Sequence, residues 1–260
     1  MKDKKVIFID YDGTLYHQSN DCLYEEVYEL FDVAKKNNID IYLTTGRTML
    51  YLKNNPRLLK LLRGVIGANG SSIYEDNILI HKNYINKQDM KELDIYTKEH
   101  NISIVYFTDI YAYVNFKEEE VIERFINFNK VPVKRINTID EISDEIELVC
   151  LYTDAINIDP MIDKFNNVTI YKWGSRGADV IKKGLTKGTG IKTILMNNEY
   201  TKSYGIGDGL NDIEMFENVD VSIAMGNASD EVKKHAKIVT SSIFERGVEQ
   251  ILEKIIKNEI

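Results

Sequence analysis

Asp10 and Asp12 stand two residues apart at the end of the apolar run Val6-Ile7-Phe8-Ile9, and Gly13-Thr14 follow at once. In a poorly hydrated pocket two such carboxylates repel each other, so they need a cation or a shared proton between them. A hard divalent ion with oxygen ligands meets that need, and magnesium is the expected one. Three further places carry polar chemistry where a strand should end or a helix begin: Thr45-Gly46, Lys187, and Asp208-Gly209-Leu210-Asn211-Asp212. Their carboxylates suit a cation. The lysine, the hydroxyl, the side-chain amide and backbone N–H groups at a helix start suit an anion. A cation and an anion cradle beside a fixed carboxylate form the apparatus of phosphoryl transfer. Taken singly, each piece also has an ordinary use. Asp-Gly makes turns, Thr-Gly-Arg caps a helix with a solvated arginine, Lys-Gly is a surface turn, and Asp-Gly-x-Asn-Asp is a fragment of a calcium loop. Their joint occurrence, in one order and at strand ends, points to chemistry.

The elements that must position these groups are legible in outline. Val6–Ile9 reads as a buried strand. Residues 23–38 place Val27, Leu30, Phe31 and Ala34 at helical spacing. Ile39–Leu43 is a second strand running into Thr44-Thr45-Gly46-Arg47, after which a helix begins, with Pro56 ending or kinking it. Val65–Gly70 is a strand passing into a turn, and Ile73–Ile80 a hairpin about Glu75-Asp76-Asn77. Alternation at these lengths predicts βαβ units and a parallel sheet. From about His81 to Lys183 the pattern changes. Helices near 87–100 and 118–129, a short one around 161–165, and strands at 102–107, 111–116, 146–152, 168–173 and 178–181 predict an α+β module with antiparallel pairing. After Lys187 the alternation resumes: a helix, the strand ending at Gly207, strands at 221–225 and 237–240, and a closing helix over 243–257. The expectation is an α/β fold, a Rossmann-like parallel-sheet core from residues 1–80 and 184–260 with an α+β cap inserted at 81–183. Open parallel sheets collect ligands beyond the carboxyl ends of their strands, so the four polar places can meet in one crevice.

Composition narrows the partners. The formal charge of −8, with no long block of either sign, argues against nucleic acid or an anionic membrane, which would want a basic face. Cys22 and Cys150 cannot build a disulfide framework or a thiolate metal cluster, and Cys150, in Leu148-Val149-Cys150-Leu151, reads as a buried core thiol. A strand begins within a few residues of Met1 and no apolar run would span a bilayer, so a cytoplasmic setting is the expectation.

The four motifs resemble those of the haloacid dehalogenase superfamily, and within it the Cof-type branch of sugar-phosphate and small-phosphate hydrolases. Asp10 to Thr14 matches the first motif, Asp-x-Asp-Gly-Thr. Thr45-Gly46-Arg47 matches the second, Lys187-Gly188 the third, and Gly207 to Asp212 the fourth, Gly-Asp-Gly-x-Asn-Asp. The resemblance implies that Asp10 is a nucleophile forming an aspartyl-phosphate, and that Asp12 protonates the leaving oxygen and then deprotonates water. It implies Mg2+ held by Asp10, the Asp12 carbonyl and Asp208, with Asp212 as a further or outer partner. Thr45, Gly46, Arg47, Lys187 and Asn211 would hold the phosphate of a small phosphorylated metabolite, and the chain would act as a monomer or weak homodimer. The insert, by position, resembles the Cof-type cap closing over the site, with Tyr113, Trp173 and Arg176 as specificity residues unless the aromatics are core. A phosphomutase acting on a hexose phosphate is the alternative, set back because Arg124, Arg135 and Arg176 are scattered rather than clustered. A receiver-type phosphoacceptor domain would leave Asp12 without a duty.

Overall fold

A computed structural model describes residues 4–17, 23–115, 119–153, 155–173 and 176–260. Cys22 lies outside the described residues, as does the side chain of Arg124. The chain forms two compact units, one from residues 1–45, 55–80 and 186–260, the other from 46–54 and 81–185.

The first unit is built from β1 (Lys5–Asp10), α1 (Glu25–Lys36) and β2 (Ile39–Thr44). The chain passes through α2 (Met49–Leu52), which groups with the second unit, and returns as α3 (Pro56–Leu61), β3 (Gly64–Gly67), β4 (Ser72–Glu75) and β5 (Ile78–Lys82). Where one helix ended by Pro56 is expected, there are two short ones. Pro56 opens the second, because a first-turn residue needs no N–H partner, and the Asn55 side chain accepts from Leu58 N at 3.0 Å as its cap. Asp76 and Asn77 turn the β4–β5 hairpin with both residues left-handed, at φ 48° and 64°, as a two-residue hairpin with matching twist requires.

The inserted unit holds α4 (Lys87–Glu99), β6 (Ser103–Phe107), β7 (Ala112–Asn115), α5 (Glu119–Asn129), β8 (Val133–Arg135), β9 (Leu148–Tyr152), α6 (Ala155–Lys164), β10 (Val168–Lys172) and β11 (Gly177–Lys182). Its six strands lie in the order β10-β11-β9-β6-β7-β8. Pairing is antiparallel except between β7 and β8, which run parallel. The strand β8 is too short and too polar to announce itself in the sequence. Tyr113 belongs to this unit's apolar core, with its hydroxyl donating to Asp144 Oδ2 at 2.7 Å, whereas Trp173 is 37% exposed.

The first unit resumes with α7 (Lys187–Asn197), β12 (Lys202–Gly207), α8 (Ile213–Phe216), β13 (Val221–Ala224), α9 (Asp230–Lys234), β14 (Ile238–Val239) and α10 (Gly247–Ile256). The closing helix starts later than its apolar spacing suggests: a single 3-10 turn at Ile243–Glu245 precedes it, and left-handed Arg246 (φ 61°) breaks the two apart. The sheet order is β14-β13-β12-β1-β2-β3-β4-β5. Strands β14 through β3 pair in parallel, and β4 is antiparallel to β3. An α/β fold with a parallel core and an inserted second sheet is therefore the observed architecture, as the sequence predicts.

Candidate active site

Strand β1 is buried along its whole length. Its period of two puts Val6, Phe8 and Asp10 on one face. Val6 and Phe8 pack there with Ile191 and Ile194 of α7 and with Met215 and Phe216 of α8. The same alternation therefore aims Asp10, the last residue of the strand, toward the start of α7. That start is Lys187. Thr186 caps it reciprocally with Thr189: each backbone N–H donates to the other's hydroxyl at 3.0 Å.

Lys187 is 1% exposed, Asp10 5% and Asp212 0%. Its ammonium group donates to Asp10 Oδ1 at 2.5 Å and to Asp212 Oδ1 at 2.6 Å. A cation at a helix N-terminus works against the helix dipole, and these two carboxylates offset that. Burial alone would lower the lysine's pKa, but Asp10 and Asp212 raise it above its ordinary value, so the group stays charged. Burial pushes the Asp10 carboxyl well up, against the pull of Lys187 and with help from Asp212 and Asp208. Asp208 is pushed up to about 6, first by burial and then by Asp212, with the Thr14 hydrogen bond and Lys187 opposing.

Asp212 is fixed from behind. Its Oδ2 accepts from the backbone N–H of Asp208 at 3.0 Å and of Gly209 at 2.8 Å. Both oxygens of Asp208 are also held, Oδ1 by the Thr14 hydroxyl at 3.1 Å and Oδ2 by Asn227 Nδ2 at 3.1 Å. Asn227 donates to Gly13 O as well and accepts from Ile243 N, both at 2.9 Å. Gly13 is required here: at φ +84°, a Cβ on it would lie 2.3 Å from Asp208 Oδ2.

Asp10, Asp208 and Asp212 each offer an oxygen within 4.8 Å of the others. Three carboxylates against one ammonium leave a deficit of two positive charges, the charge of a divalent cation. An all-oxygen donor set of this span suits a hard ion, so the residues fit the metal site that the motifs imply. Asp12 is exposed and its carboxylate is not a member of that group.

Thr45 is fully buried just past β2, its N–H donating to Ile66 O at 2.9 Å. Asn211 Nδ2 donates to Asn69 Oδ1 at 2.9 Å, and Asn69 N donates to Thr45 O at 2.9 Å, which ties the second and fourth motifs together. Gly46 and Arg47 group with the other unit, where the Arg47 guanidinium lies 3.8 Å over the Tyr51 ring. The residues that sequence reasoning missed are Asn69 and Asn227. Each is a polar residue just beyond the carboxyl end of a parallel strand, β3 and β13, which is the signal that marks Asp10 and Asp208 too.

The sheet of the first unit thus carries an acidic, lysine-neutralised site at its strand ends. The family model of haloacid dehalogenase-like hydrolases matches residues 7–252. The chain belongs to that family, in its Cof-type branch, subclass IIB, and is an enzyme of that class. It is similar to YkrA of Bacillus subtilis (strain 168), with 25% identity over 257 residues covering 97% of this chain and 98% of that one. Phosphatase YwpJ of the same organism is 23% identical over 285 residues, covering 97% and 100%. Among solved structures, that of the HAD subclass IIB sugar phosphatase BT4131 matches with a TM-score of 0.87 at 25% identity, covering 97% of this chain and 99% of that one. No helix among the described residues is long and apolar enough to cross a membrane.

Proposed function

We propose that the protein hydrolyses small phosphate monoesters, sugar phosphates or similar metabolites, using magnesium and an aspartyl-phosphate on Asp10. The observation that carries this is the buried Lys187 ammonium shared by Asp10 and Asp212, with Asp208 alongside. A carboxylate nucleophile approaching a phosphate dianion meets charge repulsion, which only fixed positive charge relieves. When bound, Mg2+ held by Asp10, Asp208 and Asp212, with the Asp12 carbonyl, neutralises phosphate oxygens. Lys187 supplies the second positive charge and orients Asp10. Thr45, the Gly46 N–H, Arg47 and Asn211 hold the remaining phosphate oxygens.

The Asp10 carboxylate attacks phosphorus while the ester P–O bond breaks, and Asp12 gives its proton to the departing alkoxide. Asp12, now ionised, takes a proton from water as the water oxygen attacks phosphorus. The bond to Asp10 breaks, and inorganic phosphate leaves. Asp12 is exposed, open to both leaving group and water, while Lys187 holds the buried Asp10 as a carboxylate.

The test is phosphate release from a panel of sugar phosphates and an aryl phosphate in magnesium buffer. Asp10→Asn should abolish turnover with the fold retained, and Asp12→Asn should lower it by roughly 10²–10⁴. Near-native rates in Asp10→Asn, with the Asn unmodified, would overturn the covalent route. Phosphate returned to the sugar rather than released would identify a mutase instead.

A further inference from the structure

We infer that Asn69 is a positioning residue of the phosphate site, orienting the Asn211 amide from a turn that also braces the segments carrying Thr45 and Lys187. After β3 the backbone goes left-handed three times in succession, at Ala68 (φ 47°), Asn69 (φ 51°) and Gly70 (φ 100°). Two of the three carry a Cβ, which makes this conformation costly for them. Such strain persists where surrounding contacts over-determine it, and it gathers at working sites.

The contacts of this turn reach three motifs. Asn69 N donates to Thr45 O at 2.9 Å, and Asn69 Oδ1 accepts from Asn211 Nδ2 at 2.9 Å. Gly70 packs so closely on Thr186, the cap of α7, that a Cβ would lie 2.2 Å from Thr186 O. Ala68, Asn69 and Gly70 are all buried, Asn69 completely.

An amide carries two N–H donors in one plane. With one of them held by Asn69, the plane of the Asn211 amide is set and its second N–H has one direction. A donor fixed before the anion arrives loses no rotamer freedom on binding, which is what preorganisation contributes. The inference rests on the proposed role of Asn211 as a phosphate ligand, and the variants below separate the two.

The experiment uses the full chain and inorganic phosphate as probe, with affinity measured by calorimetry in magnesium and KM and kcat measured alongside. Asn69→Gly is the informative change, because glycine keeps the left-handed backbone and removes only the amide. Asn211→Ala and Asn69→Gly should each weaken phosphate binding and raise KM about ten-fold, the scale of one hydrogen bond to a charged group, with a smaller change in kcat. The double variant should bind no more weakly than the weaker single, since both act through one donor.

If Asn211→Ala weakens binding while Asn69→Gly does not, or if the two losses multiply, the inference fails and the reading of the site stands. If Asn211→Ala leaves phosphate affinity unchanged, the reading of Asn211 fails and the inference with it. A readout that needs no Asn69 variant is the side-chain amide of Asn211 in the unsubstituted protein, assigned by its loss in Asn211→Ala. One of its two protons should exchange slowly without phosphate, and the second should slow only when phosphate is added. Free exchange of both without phosphate would overturn the inference.

Discussion

One ammonium group serves Asp10 and Asp212, with Asp208 beside them, so the cluster is short of positive charge. Two predictions follow from that at the level of side chains. Asp208 is pushed up to about 6 from an ordinary 3.8, and Asp10 is raised in the same direction. A carboxyl whose pKa is higher folded than unfolded binds more protons in the native state between those values. The metal-free protein should therefore lose stability as pH rises from about 4 through about 6. Magnesium needs the ionised carboxylates. The rise in Tm on adding saturating magnesium should accordingly be larger at about pH 7 than at about pH 5. An equal rise at both would show that these carboxyls do not hold the ion. The second prediction is Lys187→Met, which should abolish turnover and cost about 3–5 kcal/mol at neutral pH, the usual loss on orphaning a buried charge. Denaturant melts should show that loss shrink as acid neutralises the carboxyls. A loss independent of pH would mean that packing, not charge, sets the cost.

Helix α7 delivers Lys187, and its glycines let it come close enough. A Cβ at Gly188 would lie 2.5 Å from Glu214 O, and one at Gly190 would lie 2.5 Å from Ile66 Cγ2. In an exposed helix Gly→Ala stabilises by about 0.5–1 kcal/mol. Here the sign should reverse. Gly188→Ala pushes α7 off a backbone carbonyl that has no rotamer to yield, at about 1–3 kcal/mol. Chemical denaturation measures it, with kcat falling because Lys187 moves with the helix. A stabilised variant with normal kcat would mean that α7 can shift without consequence. The cap is a separate contribution: Thr186→Ala removes the hydroxyl that accepts from Thr189 N and should cost about 1 kcal/mol.

At the scale of the whole molecule, the inserted unit has an aromatic contact of its own. Trp173 Nε1 donates to Asp179 Oδ1 at 3.1 Å, and the Trp173 ring stands edge-on to Tyr152 at 5.3 Å. Trp173→Ala removes both contacts and should cost about 0.5–1.5 kcal/mol, read by chemical denaturation. An unchanged midpoint would show that the ring does not stabilise the inserted unit.

Much of this protein follows from sequence because its chemistry is local. Asp10, Thr45, Lys187 and Asp208 each sit where a buried strand stops or a helix starts, and hydrophobic periodicity finds those places without coordinates. The family motifs and the inserted unit were legible for the same reason. From sequence Pro56 reads as the end of a helix, yet it opens α3: proline does both, and only the Asn55 cap decides which. The break at Arg246 left no mark, since arginine has no preference for a left-handed backbone that would betray one. Tyr113 and Trp173 looked alike in sequence. One is core and the other is not, because burial depends on what packs from distant parts of the chain. Sequence likewise names Asn69 and Asn227 only as polar residues in turns. What they do depends on partners far along the chain, Asn211 for the one and Gly13 for the other, and such pairings exist only once the strands lie side by side.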